Sequence, residues 1–195
     1  MALAKDYLLS RGFDEETIDY WQLGYVFEPL PGHERFKGYL SIPYLTRAGT
    51  AALKFRCIRA ECIELEKCEG HPKYDSEAGG GTYLFGALSF WIDSSFICVT
   101  EGELDAIACG MAGLPAVGIS GASKWLKHWQ YCFEGYDEVI VLADGDKPGE
   151  RLASNVSNAC HNARVLTFPA GSDVNAYLVE HGADALRRKV LGDER

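Results

Sequence analysis

The sequence predicts an α/β fold in which helices flank a mainly parallel sheet. Two short apolar segments, 96–99 and 139–143, are rich in β-branched residues, and acidic and glycine residues follow each of them directly. Such segments are typical of buried parallel strands. From residue 96 onward, strand-like and helix-like segments alternate, which favours right-handed β-α crossovers. We therefore expect the acidic residues to lie at the carboxyl edge of the sheet, where open α/β folds bind ligands.

The first ninety residues have a different pattern, which predicts a small α+β subdomain with antiparallel strands. Its expected elements are two helices, a β-hairpin and a polar, glycine-rich loop: 3–10, 14–24, 36–46 paired with 50–59, and 60–82. Asp14 is suited to cap the second helix, while Gly12 ends the first. We place the boundary so that residues 1–90 form this basic subdomain and residues 91–195 form the parallel-sheet domain.

The second domain is predicted to be a regular series of strands and helices. The expected strands are 96–100, 116–119, 138–143 and 163–168. Helices are expected after the first three strands, with Ser123 as a cap of the second and Pro148 in the first turn of the third. Two short helices are expected to follow the last strand.

The composition is that of a globular protein without a membrane partner. The 195 residues are 47% hydrophobic, which is enough for one or two domains with cores. No apolar segment is long enough to span a membrane, and the first residues lack a signal-peptide profile, so we expect a cytoplasmic protein. The seven cysteines are an odd number, which fits a reducing compartment better than a disulfide framework.

The charge is acidic overall but basic in the middle of the chain. A net charge of −9 argues against a protein that coats nucleic acid by bulk electrostatics. Residues 33–75, however, hold eight basic and six acidic side chains, a net charge of +2. Lys54, Arg56 and Lys73 are the candidates for binding nucleic-acid backbone or nucleotide phosphates, because strand alternation puts the first two on one face. A solvated basic face is the alternative.

Acidic residues directly after two predicted strands form the candidate metal site. Asp144-Gly145-Asp146 follows strand 138–143, and Glu101 with Asp105 follows strand 96–100. Carboxylates that converge repel one another unless a divalent cation neutralises them, and hard oxygen ligands suit Mg²⁺. We therefore expect metal-assisted phosphoryl transfer at this edge of the sheet. Turn residues, helix caps and a solvated Glu101 are the alternative.

Three cysteines and a histidine, at the end of the predicted hairpin and in the loop after it, form a weaker candidate for a metal site. Cys57, Cys62, Cys68 and His71 could supply four zinc ligands. Their spacing lacks the tight pair of cysteines two residues apart that identifies most structural zinc sites. We expect ordinary loop and core cysteines here, and no zinc.

The two acidic motifs resemble the signatures of the TOPRIM domain, which topoisomerases, bacterial-type primases, OLD-family nucleases and RecR-like proteins share. The first is Val99-Thr100-Glu101-Gly102-Glu103-Leu104-Asp105, and the second runs from Val141 to Gly149. In that family the first glutamate is a general acid or base or a metal ligand, and the Asp-x-Asp pair holds Mg²⁺. The resemblance therefore implies catalytic roles for Glu101, Asp144 and Asp146.

Segments outside these motifs resemble the catalytic core of DnaG-type primases, in the same order along nearly the whole chain. They are 7–25, 35–56, Lys73-Tyr74 with Leu84-Phe85-Gly86, and 169–178. The last of these resembles a late Asp-rich motif and implies that Asp173 supports the metal site, as Asp105 does. The family usually has a second aspartate where this chain has Asn175, a weaker cation ligand. Glu103 is an additional acid in the first motif.

The resemblance implies a TOPRIM-containing primase that makes short RNA on a single-stranded DNA template from nucleoside triphosphates, with two Mg²⁺ or Mn²⁺ ions. The expected partner is a replicative helicase or a separate zinc-bearing primase polypeptide, because the chain begins where the catalytic core begins. The compact size favours a phage or mobile element. Two other functions stay open: a TOPRIM nuclease that hydrolyses phosphodiesters, and a RecR-like scaffold without catalysis. The basic hairpin favours the primase.

Overall fold

A computed structural model describes residues 2–65, 67–77, 80–121 and 124–192. The chain forms two compact units, residues 1–81 and residues 82–195. Residues 82–90, which the sequence pattern assigned to the first domain, lie in the second unit. The reason is a short strand, Leu84–Phe85, that pairs with the sheet of that unit.

The described residues of the first unit form a four-stranded antiparallel sheet with three short α-helices and a 3₁₀ helix, Glu34–Phe36. Its elements are α1 (Ala2–Ser10), α2 (Glu15–Tyr20), β1 (Gly24–Tyr25), β2 (Tyr39–Thr46), β3 (Gly49–Cys57), α3 (Ala60–Glu64) and β4 (Tyr74–Ser76). The strands lie in the order β1-β2-β3-β4. The predicted hairpin is confirmed, because β2 and β3 pair antiparallel from Tyr39 opposite Cys57 to Thr46 opposite Gly49.

Local sequence accounts for the start of α2 but not for every element of the first unit. Asp14 caps α2, since its carboxylate accepts a hydrogen bond of 2.8 Å from the backbone N–H of Thr17. The segment predicted as one loop, 60–82, contains α3 and β4 instead. Both elements are too short for a periodic pattern, and β4 exists because it pairs with Lys54, Phe55 and Arg56 of β3.

The second unit is a five-stranded, mainly parallel sheet flanked by helices, as predicted. Its elements are β5 (Leu84–Phe85), β6 (Phe96–Thr100), α4 (Glu103–Met111), β7 (Ala116–Ile119), β8 (Glu138–Ala143), α5 (Lys147–Ala159), β9 (Ala163–Thr167), α6 (Val174–His181) and α7 (Ala183–Leu191). The strand order is β5-β7-β6-β8-β9, with β5 antiparallel to β7 and the other pairs parallel.

Burial of both faces explains why the central strands are almost wholly apolar. Every residue from Val139 to Ala143 is buried, as are Ile97, Cys98 and Val99 in the neighbouring strand β6. Between β7 and β8, where the sequence predicts a helix, the structure has a 3₁₀ helix, Lys127–Cys132. The predicted cap of this helix, Ser123, lies outside the described residues. Among the described helices, none combines the length and the apolar character that a membrane crossing requires.

The order of the strands creates a crevice at one point of the sheet. The crossover from β6 leads to β7 on one side, whereas the crossover from β8 leads to β9 on the opposite side. The two crossovers diverge between β6 and β8, so this is the topological switch point of the sheet. In open α/β folds, ligands bind outside the carboxyl ends of the strands at that point.

Candidate metal and nucleotide site

Two carboxylates lie at the switch point because each follows one of its two strands. Glu101 comes directly after β6, and Asp144 comes directly after β8. These strands are paired in parallel, with Thr100 opposite Leu142, so both carboxylates leave the sheet at the same edge. The strand ends predicted from sequence therefore bring these two side chains to one side of the sheet, as expected.

Gly145 allows the segment after β9 to pack closely against the chain between the two aspartates. A Cβ atom at this position would lie 2.5 Å from the backbone oxygen of Phe168 and 2.6 Å from the carbonyl carbon of Pro169. Only glycine permits so close an approach of the segment that follows β9. Asp146 then caps α5, and its carboxylate accepts a hydrogen bond of 2.8 Å from the N–H of Gly149.

Two carboxylate oxygens at the site are buried and unpaired. Glu101 Oε2 and Asp144 Oδ1 have no hydrogen-bond partner within the described part of the chain. A buried carboxylate oxygen without a donor is costly, and native proteins place such atoms where a ligand or ion completes the arrangement. The two atoms therefore mark the position where the site lacks positive charge.

The electrostatics of the site also indicate a missing positive charge. Burial raises the pKa of Asp144 to about 8, and the neighbouring charges of Asp105, Glu101, Asp173 and Asp146 add to the effect. Burial and the charge of Asp146 also raise the pKa of Glu101, whereas the cation of Arg151 opposes the change. Four acids thus act on Asp144 at a single site, which favours a bound cation.

Asp105 and Asp173 have structural partners as well as this electrostatic role. Asp105 is buried in α4, and its carboxylate accepts a hydrogen bond of 3.0 Å from the backbone N–H of Asn175 in α6. Asp173 caps α6 by accepting a hydrogen bond of 2.6 Å from the N–H of Ala176. Asn175 and Glu103 are both buried, so neither is a solvated surface residue.

The carboxylates suit a hard divalent cation but do not enclose one. Among the described residues, they form no group as tight as the cysteine cluster, whose ligand atoms all lie within 4.8 Å of one another. An ion of the Mg²⁺ type takes about six oxygen ligands and keeps several waters or substrate phosphates among them. The open acidic site and its unpaired oxygens fit that mode of binding.

The candidate basic residues of the first unit differ in exposure. Lys73 is exposed, and Lys54 is half-buried with its ammonium 4.6 Å from the ring centroid of Tyr74. Arg56 is only 8% exposed. Its guanidinium carbon lies 5.5 Å from the ring centroid of Tyr7 and 4.9 Å from that of Tyr74.

The two tyrosines were not singled out in the sequence, although strand pairing indicates one of them. Arg56 is opposite Tyr74 in the pairing of β3 with β4, and its guanidinium donates a hydrogen bond to the Tyr74 hydroxyl. A guanidinium between two rings keeps its charge while its rotamer is restricted. Arg56 is thereby held in place within the basic face.

The structure brings Cys57, Cys62, Cys68 and His71 together, which argues against the expectation of ordinary loop cysteines. Their Sγ and imidazole nitrogen atoms all lie within 4.8 Å of one another. The sequence spacing did not predict this arrangement, because the short helix α3 lies between Cys57 and Cys68 and the chain after it returns to the end of β3. That short helix has no periodic signal of its own.

Comparison with known proteins places this geometry in a family. A Toprim-like family model matches residues 98–178, which include the acidic residues Glu101, Asp144 and Asp173. The Gene 57 protein of Mycobacterium phage D29 is 35% identical over 155 residues, which are 80% of this chain and 99% of that protein. The similarity therefore covers nearly the whole length of the phage protein.

Bacterial primases are more distant but match more of the chain. The DNA primase of Geobacillus stearothermophilus is 23% identical over 214 aligned positions, which cover 93% of this chain and 36% of that protein. This chain thus spans about a third of that relative's length. The crystal structure of the RNA polymerase domain of Mycobacterium tuberculosis primase DnaG superposes with a TM-score of 0.74 at 21% identity, covering 97% of this chain and 75% of that one.

Proposed function

This chain belongs to the DnaG-like family of primase catalytic cores with a TOPRIM domain, and we propose that it synthesises short RNA primers on single-stranded DNA. The observation that carries the proposal is the pair of buried, unpaired carboxylate oxygens of Glu101 and Asp144 at the ends of adjacent parallel strands. Such oxygens are suited to a cation that also contacts phosphate. Nucleoside triphosphates bring those phosphates.

Asp144 and Asp146 are the proposed principal ligands of Mg²⁺ or Mn²⁺, with two ions expected in the active site. The bound ions would stabilise negative charge on the reacting phosphate and make the primer hydroxyl more acidic. Asp105 and Asp173 add negative charge around Asp144, as the raised pKa of Asp144 records. Because the protein leaves the shell open, nucleotide phosphates and water complete it.

Glu101 is the proposed proton acceptor for the primer 3′-hydroxyl, or a further ligand. Burial and the charge of Asp146 raise its pKa, which makes it a stronger base than a solvated glutamate. Its Oε2 atom is buried and donor-free in the described structure, so the lone pairs needed for either role are available. A charge-neutral amide at this position could serve neither role well.

Lys54, Arg56 and Lys73 are proposed to bind the phosphates of the template or of the incoming nucleotide. Arg56 is the positioned member, since the rings of Tyr7 and Tyr74 hold it, and exposed Lys73 is the adaptable member. The net charge of −9 leaves few phosphate contacts, so template affinity should be low and should fall steeply with salt. We therefore propose that a helicase or a separate zinc-bearing polypeptide holds the template.

Primer synthesis on single-stranded DNA tests the proposal. Purified protein is incubated with template, Mg²⁺ and labelled ribonucleotides at low salt, and the products are separated by length. Short labelled RNA is expected. Cleavage of the template in the absence of nucleotides would support a TOPRIM nuclease instead. DNA binding without either product, and unchanged by Asp144→Asn, would support a scaffold.

A further inference from the structure

The four-residue cluster in the first unit carries an inference separate from the acidic site. Cys57 ends β3, Cys62 lies in α3, and Cys68 and His71 lie in the segment between α3 and β4. We infer that Cys57, Cys62, Cys68 and His71 bind one structural zinc ion. This cluster, which we call the Cys3His cluster, lies wholly within residues 57–71 of the first unit.

The distances within the cluster fit tetrahedral coordination. His71 Nε2 lies 3.2 Å from Cys57 Sγ and 3.4 Å from Cys62 Sγ. With Zn–S bonds of about 2.3 Å and a Zn–N bond of about 2.0–2.1 Å, a tetrahedron separates nitrogen from sulfur by roughly 3.5 Å. All four ligand atoms lie within 4.8 Å of one another, so only small adjustments are needed.

The orientation of His71 is fixed in the way a metal ligand requires. Its Nδ1 atom lies 2.9 Å from the backbone oxygen of Glu69. Because a carbonyl oxygen only accepts, Nδ1 is the donor in this contact, and in the neutral imidazole the lone pair of Nε2 then faces the two sulfur atoms. Zinc-binding histidines commonly use their second nitrogen in this way. One lone pair cannot accept fully from two thiols, whereas one ion can bind all three groups.

The donor set selects zinc over the harder ions of the acidic site. Three sulfur atoms and one imidazole nitrogen are soft or borderline ligands, which favour Zn²⁺ and disfavour Mg²⁺. Four protein ligands leave no position for water or substrate, so the site is structural rather than catalytic. Cys57 and Cys62 are buried at 5% and 8% exposure, whereas Cys68 and His71 are half-buried, which leaves a route for the ion.

A zinc ion here would add a link to a segment that is also held by hydrogen bonds from the Tyr39 hydroxyl to the Pro72 oxygen and from the Cys57 N–H to the Lys73 oxygen. The described residues between α3 and β4 form no regular secondary structure, and most of their side chains are exposed. Two of the cysteines belong to a cluster of buried side chains: Phe36, Tyr39 and Phe55 with Cys57 and Cys62. The segment leads directly to Lys73 and Tyr74.

Metal analysis of the intact protein, purified without chelator, tests the inference. About one zinc per chain is expected. After the zinc is removed, titration with Co²⁺ should produce thiolate-to-cobalt charge-transfer bands, which the carboxylate site cannot produce. Cys68→Ser should weaken Co²⁺ binding by at least about tenfold. Cys132→Ser, which changes an exposed cysteine of the second unit, should leave the zinc content and the bands unchanged.

The cobalt titration keeps the test decisive if Cys68→Ser fails to fold, because it uses the unaltered chain. Far less than one zinc per chain, together with no charge-transfer bands, would overturn the inference and leave a thiol–imidazole cluster only. Equal loss of zinc in the Cys68 and Cys132 variants would overturn it as well, since the ion would then be bound elsewhere.

Discussion

At the scale of single residues, Asp144 shows how the fold prepares a cation site at a cost to its own stability. Burial and four neighbouring acids raise its pKa to about 8, so near neutral pH much of the population holds a proton that a solvated aspartate would release. A cation that binds there must displace this proton. We therefore expect Mg²⁺ affinity to increase with pH up to about 8.

The pH dependence of stability provides a direct prediction for Asp144. Between pH 4 and pH 8 the folded state holds more protons at this carboxyl than the unfolded state, so without added metal the free energy of unfolding should fall as pH rises through that window. Asp144→Asn should remove this slope and stabilise the metal-free protein at pH 8 by on the order of 2 kcal/mol, allowing for partial solvent screening. Urea denaturation at several pH values measures both effects. Equal slopes in the two proteins would contradict the assignment.

Gly145 provides a second prediction at this scale. In Gly145→Ala the new Cβ would meet backbone atoms at 2.5 Å and 2.6 Å that cannot move aside separately. A loss of about 1–3 kcal/mol in the free energy of unfolding is expected. Gly135→Ala is the matched control, because its Cβ would meet no atom within 4 Å, and it should change stability by less than about 0.5 kcal/mol. Equal effects of the two substitutions would show that close packing of the backbone at Gly145 does not require glycine.

The sequence pattern located the acids but not their individual environments. Spacing after two strands was enough to predict that Glu101 and Asp144 share one edge of the sheet. It could not show that Asp105 and Asp173 each accept a backbone hydrogen bond, nor that Arg56 is buried against two tyrosines. Those features depend on tertiary packing, which cannot be deduced from the spacing of residues along the sequence.

At the scale of secondary-structure elements, one carboxylate links two helices behind the site. Asp105 in α4 accepts the hydrogen bond from the N–H of Asn175, the second residue of α6. Asp105→Ala would leave that buried N–H without its acceptor, and a loss of about 1–3 kcal/mol in unfolding free energy is expected.

Asp105→Asn separates the hydrogen bond from the charge. The amide oxygen still accepts from Asn175, so most of the stability should return, while removal of the negative charge should lower the pKa of Asp144. Nuclear magnetic resonance titration of the aspartate carboxyls would measure that change. If the Asn variant were as unstable as the Ala variant, the helix link would not act through this hydrogen bond.

The elements that sequence patterns predicted best are the long, buried ones. Strands β6, β7 and β8 begin and end where expected, because continuous apolar segments are bounded by polar or glycine residues. The short strands β1, β4 and β5 and the helix α3 were missed. Each has two to five residues, fewer than a periodic pattern needs, and each strand exists through its pairing partner.

Removal of zinc is the prediction for the elements around the Cys3His cluster. A chelator should lower the thermal midpoint of the first unit, and stoichiometric zinc should restore it, because the ion connects β3, α3 and the segment before β4. Differential scanning calorimetry with and without chelator measures the change. Cys132→Ser should respond to the chelator as the unaltered chain does. A thermal midpoint that does not change when the chelator is added would contradict a structural role of zinc.

At the scale of the whole molecule, the second unit carries the acidic centre and the first unit carries the basic face. The fold matches primase catalytic cores over 97% of the chain, but at 21% identity that likeness shows the fold alone. We therefore expect primer synthesis to require the carboxylates at the switch point of the sheet.

The most direct test compares Mg²⁺-dependent primer synthesis by the unaltered chain, Asp144→Asn and Asp184→Asn on single-stranded DNA at low salt. Asp184 is an exposed carboxylate in the first turn of α7 and serves as the matched control. We expect labelled RNA from the unaltered chain and from Asp184→Asn, with at least on the order of 100-fold less from the stably folded Asp144→Asn protein. Primer synthesis by Asp144→Asn at the unaltered rate, or no RNA from the unaltered chain, would contradict the proposed function.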